Sequence, residues 1–279
     1  MINWDIDPEI FRIGIFAMRW YGTLFTIAFV AGYFIMKFIF RQEGISTKKL
    51  NHLTIYVACG TIIGARLGHC LFYEPEYFLQ NPMEMFFPIA RNNHGNWQFI
   101  GYQGLASHGA ALGILIVLYI FSRINRLPYL WTLDRIVIVI ALAGFFIRTG
   151  NLMNSEIFGQ PTALPWGFAF VRSPEWYRHP VNMQPCHPTQ IYEAVACLAI
   201  FVLLLVRYVN YQDKIKPGFL FGIFLVTLFS VRFLIEFIKI EQVAFEQGMA
   251  LNMGQLLSVP FIICGVWVIF AHRCSQILI

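Results

Sequence analysis

The hydrophobic positions of this chain gather into seven long runs, at roughly 20–40, 52–73, 99–122, 134–152, 189–208, 218–238 and 251–272. Shorter polar or mixed stretches separate them. Each run reaches the about 20 mostly apolar residues that a helix needs to cross a bilayer core of about 30 Å. The pattern predicts an all-α polytopic membrane protein, one seven-span domain over residues 1–279. Composition sharpens this into an exclusion. Charged residues are 13% of the chain and hydrophobic ones 58%, whereas soluble domains average about a quarter charged. Six cysteines occur with no CxxC pair and no zinc-like spacing, so they read as small buried hydrophobes rather than a disulfide framework or a metal site. The stretch before residue 20 lacks the basic start and apolar core of a cleavable leader, so the first span is expected to direct insertion.

Lysine and arginine give the direction. Lys37, Arg41, Lys48, Lys49, Arg123, Arg126, Arg135, Arg207, Lys214, Lys216 and Arg273 fall on one side of the spans, eleven against Arg12, Arg19, Arg91, Arg172, Arg178 and Lys239 on the other. By the positive-inside rule the N-terminus is expected outside and the C-terminus inside. The outside segments 74–98 and 153–188, rich in Pro, Trp, Asn and Phe, are expected to form a small cap, with residues 1–19 as an interfacial arm.

Ionisable groups inside spans are costly and point to function. Here they are Arg66, His69, His108, Arg148, Glu193, Arg232 and Glu236, with Asn151, Asn154 and Glu156 at the outer end of the fourth span. The three arginines lie about 14 residues up spans that start inside, which is roughly 21 Å at about 1.5 Å per residue. His108 is placed about nine residues down the third span, roughly 14 Å deep. Tyr21 and Glu193 fall at outer ends. Several helices thus contribute polar groups to one outer layer. Gly60, Gly64 and Gly68 form a stripe for close helix packing, with Arg66 on the opposite face. Arg232 and Glu236, four apart, share a face and can pair. Any one of these residues is as readily structural as functional. Three guanidiniums outnumbering the carboxylates beside them ask for an anion, and guanidinium suits phosphate through its paired donors.

The stretch Arg148-Thr-Gly-Asn151-Leu-Met-Asn154-Ser-Glu156-Ile-Phe-Gly159 resembles the signature of the prolipoprotein diacylglyceryl transferase family, R-x-G-N-F-x-N-x-E-x-x-G. Arg19 to Gly22, Gly64 to Gly68, Ser107-His108-Gly109, His187 to Glu193, Arg232 to Phe237 and Gly254 to Pro260 follow in the family's order. Ile147, Leu152, Ala110 and Leu228 depart from its usual residues. The resemblance implies seven spans with a periplasmic cap in the bacterial inner membrane. It also implies phosphatidylglycerol as donor, the lipobox cysteine of a prolipoprotein signal peptide as acceptor, and a thioether-linked product with release of glycerol phosphate. No cofactor, metal or nucleic acid is expected.

For that reaction His108 is expected to activate the thiol, and Arg148 and Arg232 to stabilise the departing phosphate, with Arg66 a weaker third. Asn151, Asn154 and Glu156 are expected to hold glycerol hydroxyls, Tyr21 to donate from the rim, Glu236 to orient Arg232, and Gly159 to make a sharp turn into the cap. The rivals are a seven-span transporter or receptor with a buried anion site, and an intramembrane hydrolase. The last span has no Lys for a Schiff base, the buried charges lie only in the outer half, and Gly104 to Gly109 misses G-x-S-x-G spacing by one residue.

Overall fold

In the computed structural model, residues 2–14, 16–87, 89–91, 97–99, 104, 106–173, 184–240 and 251–274 are described. Arg178 and parts of both expected cap segments lie outside them, as do most of residues 100–105 of the expected third span. In chain order the helices are α1 (Trp20–Gln42), α2 (Thr47–Phe72), the short α3 (Pro75–Gln80) and α4 (Pro82–Phe86), α5 (Ser107–Asn125), α6 (Tyr129–Met153), α7 (Thr189–Tyr211), α8 (Phe219–Ile235) and α9 (Met253–Cys274). Among the described residues, seven of these are long and apolar enough to cross a membrane. The strands are short: β1 (Ile2–Trp4) parallel to β6 (Phe168–Phe170), the hairpin β2 (Glu9–Ile13) with β3 (Phe16–Arg19), and the hairpin β4 (Ile89–Arg91) with β5 (Trp97–Phe99). The protein is mostly helical, and none of these two-stranded sheets is closed.

The helix ends differ from the hydrophobic runs where polar signals decide. α2 begins before its apolar stretch because Ser46, in extended conformation, caps it and its Oγ accepts from Lys49 N at 3.4 Å. The third span begins late. Residues 97–99 are strand, Gly104 has a left-handed φ of +77°, and Ala106 is the extended N-cap of α5. His108 is therefore on the first turn of α5, not nine residues down a helix. Phe99, where the expected span opens, belongs to a hairpin strand instead.

The chain divides into two compact units, Lys37–Thr132 and Met1–Met36 with Leu133–Ile279. In the first, α2 crosses α5 glycine against glycine. A Cβ on Gly64 would overlap the Gly109 carbonyl oxygen, and one on Gly113 the Gly60 carbonyl oxygen. Backbone-to-backbone approach of this kind is what small residues allow in lipid, where apolar burial drives little association.

The second unit centres on α6, half of whose apolar stretch is buried. Leu152, Phe158, Phe168, Phe170 and Cys186 form an apolar cluster against which Trp4 and Ile191 pack. Trp4 Nε1 donates to Leu152 O at 2.9 Å, and Arg172 pairs with Asp5 and Asp7, both at 2.6 Å. The N-terminal segment is thus tied to residues 168–172 by a parallel strand pair, an indole and a guanidinium. At the other end of α6, Asp134 has no exposed surface and accepts from the N–H groups of Gly218 (2.7 Å) and Phe221 (2.8 Å). It caps α8 from a neighbouring helix and so satisfies amides that lipid would leave bare.

Candidate active site

The polar cluster of the second unit grows out of the way α6 ends. Ser155 N donates to Leu152 O (3.0 Å) and Glu156 N to Asn151 O (3.1 Å), with Ser155 at φ +53°. This is a Schellman-type stop with serine where glycine is usual. Ile157 follows at φ +60°, an outlier for a β-branched residue. Glu156 is thereby fixed between two left-handed residues, a strain of the sort that collects at functional sites. Its backbone carbonyl accepts from Gln190 Nε2 at 2.7 Å, while Oε1 accepts from Asn151 Nδ2 (2.8 Å) and Asn154 Nδ2 (3.2 Å).

Arg148 sits on the last turns of α6. Its Nε lies 2.8 Å from Glu193 Oε2 on α7, and Nη1 points at Asn151 Oδ1 from 3.4 Å. Nη1 is thus engaged with Asn151, Nε meets Glu193 by charge, and Nη2 has no partner among the described residues. Tyr21, on the first turn of α1, lies so close to α6 that a Cβ on Gly150 would come within 2.8 Å of Tyr21 Cδ2. It is within electrostatic range of both Arg148 and Glu156. One unit therefore brings Tyr21, Arg148, Asn151, Asn154 and Glu156 together.

Arg232 ends α8, and its side chain has no hydrogen bond or ion pair among the described residues. The expected Arg232–Glu236 pair does not form. The α-helix gives way to a 3-10 turn at Glu236–Ile238, and Glu236 Oε2 lies 3.4 Å from Lys239 Nζ instead. Lys239 Nζ also donates to Glu193 Oε1 at 2.8 Å. The expected excess of cations is corrected accordingly. In this unit Arg148 and Lys239 share Glu193, and Glu236 faces Lys239. By sequence alone Lys239 falls among the six cations of the outside segments. The spacing 232–236–239, which returns to one helical face, was the available signal.

Two further expectations change. Gly159 does not make the turn, which belongs to Ser155 and Ile157. It is buried where three segments meet, and a Cβ there would lie 2.5 Å from Ile238 O and 2.8 Å from both His187 Cβ and Thr189 Cγ2. Arg66, in the other unit, is engaged in local structure. It is buried, with Nε donating to Met85 O (3.2 Å), Nη2 to Glu84 O (2.6 Å) and the guanidinium over the Phe78 ring at 4.8 Å. It satisfies carbonyls at the end of α4. His108 belongs to the same unit as Arg66. It is exposed and has no hydrogen-bond or ion-pair partner among the described residues.

The prolipoprotein diacylglyceryl transferase family model matches residues 8–271. The chain belongs to that family. It is 45% identical over 278 residues to the phosphatidylglycerol–prolipoprotein diacylglyceryl transferase of Porphyromonas gingivalis, covering 96% of this chain and 93% of the relative. It is 43% identical to those of Bacteroides fragilis over 271 residues (97% and 95% of the two chains) and of Tolumonas auensis over 267 (95% of each). A multi-pass membrane protein of a bacterial transferase family is what the seven helices and these relatives together describe, and the transporter or receptor reading is not favoured.

Proposed function

We propose that this protein transfers the diacylglyceryl group of phosphatidylglycerol to the thiol of the lipobox cysteine of a prolipoprotein. The thiol loses its proton, and the thiolate attacks the glycerol carbon that carries phosphate. A C–S bond forms as the C–O bond breaks, and the electron pair leaves on glycerol phosphate. One observation carries this reading: Arg148 is held by Glu193 at Nε and by Asn151 at Nη1, which leaves Nη2 to meet a phosphate as charge develops. Arg232, with no carboxylate partner among the described residues, supplies a second guanidinium. Tyr21 donates from the rim, and the Asn151, Asn154 and Glu156 cluster, closely hydrogen-bonded, holds the glycerol hydroxyls. Glu236 and Gly159 support the site from behind, and Arg66 supports it by holding its own unit together.

His108 is the proposed base, as imidazole titrates near neutrality as a class. Purified protein with phosphatidylglycerol and a lipobox peptide is expected to yield a diacylglyceryl peptide and glycerol phosphate. Absence of both products would overturn the proposal. His108→Gln is expected to lower turnover by about 10²–10⁴-fold, with a defect that shrinks as pH rises and thiolate forms unaided. A defect constant from about pH 6 to 9 would remove His108 from the base role, since free thiols titrate near pH 8.5.

The proposed setting is the bacterial inner membrane, with the N-terminus and the polar cluster on the periplasmic side. Cys186 is buried and its thiol faces Gln184 O at 3.4 Å, so the native thiol is a poor reporter of sidedness. Single cysteines at the exposed positions Leu164 and Lys214 serve instead. An impermeant thiol reagent on spheroplasts is expected to label Leu164→Cys and to spare Lys214→Cys.

A further inference from the structure

Lys239 is 4% exposed, and lysine is almost never buried so deeply without paired charge. Its ammonium lies 2.8 Å from Glu193 Oε1 and 3.4 Å from Glu236 Oε2. Glu193 in turn presents Oε2 to Arg148 Nε at 2.8 Å. The result is a chain of alternating charge, Glu236–Lys239–Glu193–Arg148, running from the end of α8 through α7 to α6. The main chain of Lys239 is secured separately, by a bridge to Gly159 and by Gln160 Nε2 donating to its carbonyl at 3.2 Å. The side chain is therefore not needed to hold the backbone in place.

The division of Glu193 between two cations has a chemical consequence. A carboxylate with both oxygens available to one arginine tends to take it in a two-bond fork, engaging an Nη donor as well as a second nitrogen. Here one oxygen is taken by the ammonium, and Arg148 meets the other through Nε. Neither Glu193 Oε2 nor Glu236 Oε2 has a well-aligned hydrogen bond among the described residues, so charge rather than directional bonding holds this arrangement. We infer that Lys239 is a positioning residue for the transfer reaction: by occupying one oxygen of Glu193 it prevents that carboxylate from taking Nε and Nη2 of Arg148 together, and keeps Nη2, which has no partner among the described residues, available to the leaving phosphate. The inference rests on the transferase reading given above.

A double-mutant cycle with the purified full-length enzyme, phosphatidylglycerol and a lipobox peptide tests it. Lys239→Met is expected to lower kcat by about 10–100-fold, the scale at which misplacement of a reacting partner is felt. KM for phosphatidylglycerol is expected to stay within about threefold, because the contact is made to charge that develops in the transition state. In an Arg148→Lys background, which has no fork to capture, the same change is expected to cost less than about threefold further. Lys239→Arg is expected to restore most of kcat. Equal fold losses in both backgrounds, or a loss that only tracks the fraction folded, would overturn the positioning role. Should Lys239→Met fail to fold, Glu193→Gln reads out the same coupling. It is expected to be non-additive with Arg148→Lys, and additivity would again overturn the inference. A wild-type enzyme with no transfer activity would overturn the functional reading and this inference with it, whereas an active wild type matched by Lys239→Met would overturn the inference alone.

Discussion

Two buried arginines show how differently the same residue can be used within one membrane protein. Arg66 donates to main-chain carbonyls of Glu84 and Met85 and lies on an aromatic ring, so its charge is absorbed by the end of a short helix. Arg148 is braced by a carboxylate from another helix at Nε and by an asparagine one turn on at Nη1, which leaves Nη2 open. The first arrangement satisfies backbone and leaves little to offer. The second orients a cation while keeping donors for something else. Position along the helix does not separate the two, since Arg66 and Arg148 both sit in the last two turns of α2 and α6. The partner type does, because carbonyls in lipid must be satisfied for their own sake, whereas a carboxylate holds an arginine by charge.

The contrast can be tested at its strong end first. Arg148→Lys and Arg232→Lys are each expected to reduce kcat by about 10²–10³-fold, the scale of losing one oriented donor to a developing anion. The protein should remain folded, as charge is retained. Steady-state transfer assays check this, and near-normal turnover would mean that a point charge suffices. Next, Gly64→Leu is expected to destabilise the α2–α5 crossing by at least the about 1–3 kcal/mol of core overpacking, because the new side chain meets backbone that cannot yield. Gly22→Ala is the control, with nothing within 4 Å of its Cβ. Thermal unfolding in detergent distinguishes them.

Arg66→Met sharpens the comparison directly. It keeps the length of the stem and removes the donors to two carbonyls, at an expected cost of about 1–3 kcal/mol. Activity per folded molecule should be nearly unchanged. A folded but inactive Arg66→Met would erase the distinction between the two arginines. The smallest effect is expected at the N-terminal tie. The Asp7 carboxyl is held below the ordinary aspartate value first by the Glu9 N–H and then by Arg172. A group depressed in the folded state contributes stability above its unfolded pKa and loses it as pH falls through the folded one. Melting temperature should therefore be insensitive to this contact near neutrality and should fall only in acid, below about pH 4. Arg172→Met should flatten that acid slope slightly, as the groups are exposed.

Much of this was legible in the order of residues. Seven helices, the glycine stripe of α2 and the polar cluster Arg148 to Glu156 follow from periodicity and from the cost of charge in lipid, which are local or one-dimensional quantities. The signature at the end of α6 needed no partner to be noticed, since its members lie within one turn and one stop motif. What was hidden depends on which segment meets which. The partners of the glycine stripe, Gly109 and Gly113, lie far along the chain. Arg66 reads as a phosphate ligand until α4 supplies its carbonyls, and Lys239 reads as a loop cation until Glu193 closes over it. Hydropathy also opened the third span at Phe99, which ends a strand, since apolar strand and apolar helix look alike over so few residues.

Composition and pattern alone settle the solvent and the number of long apolar helices, because each residue's transfer energy and each helix's length are properties of the chain itself. Whether a given cation braces backbone or faces a substrate is decided only when distant segments pack, because an ion pair is a relation between side chains. Glu193, on the fifth long helix, meets Arg148 on one side and Lys239 on the other. No spacing along the sequence records that meeting, and the orientation of the guanidinium depends on it.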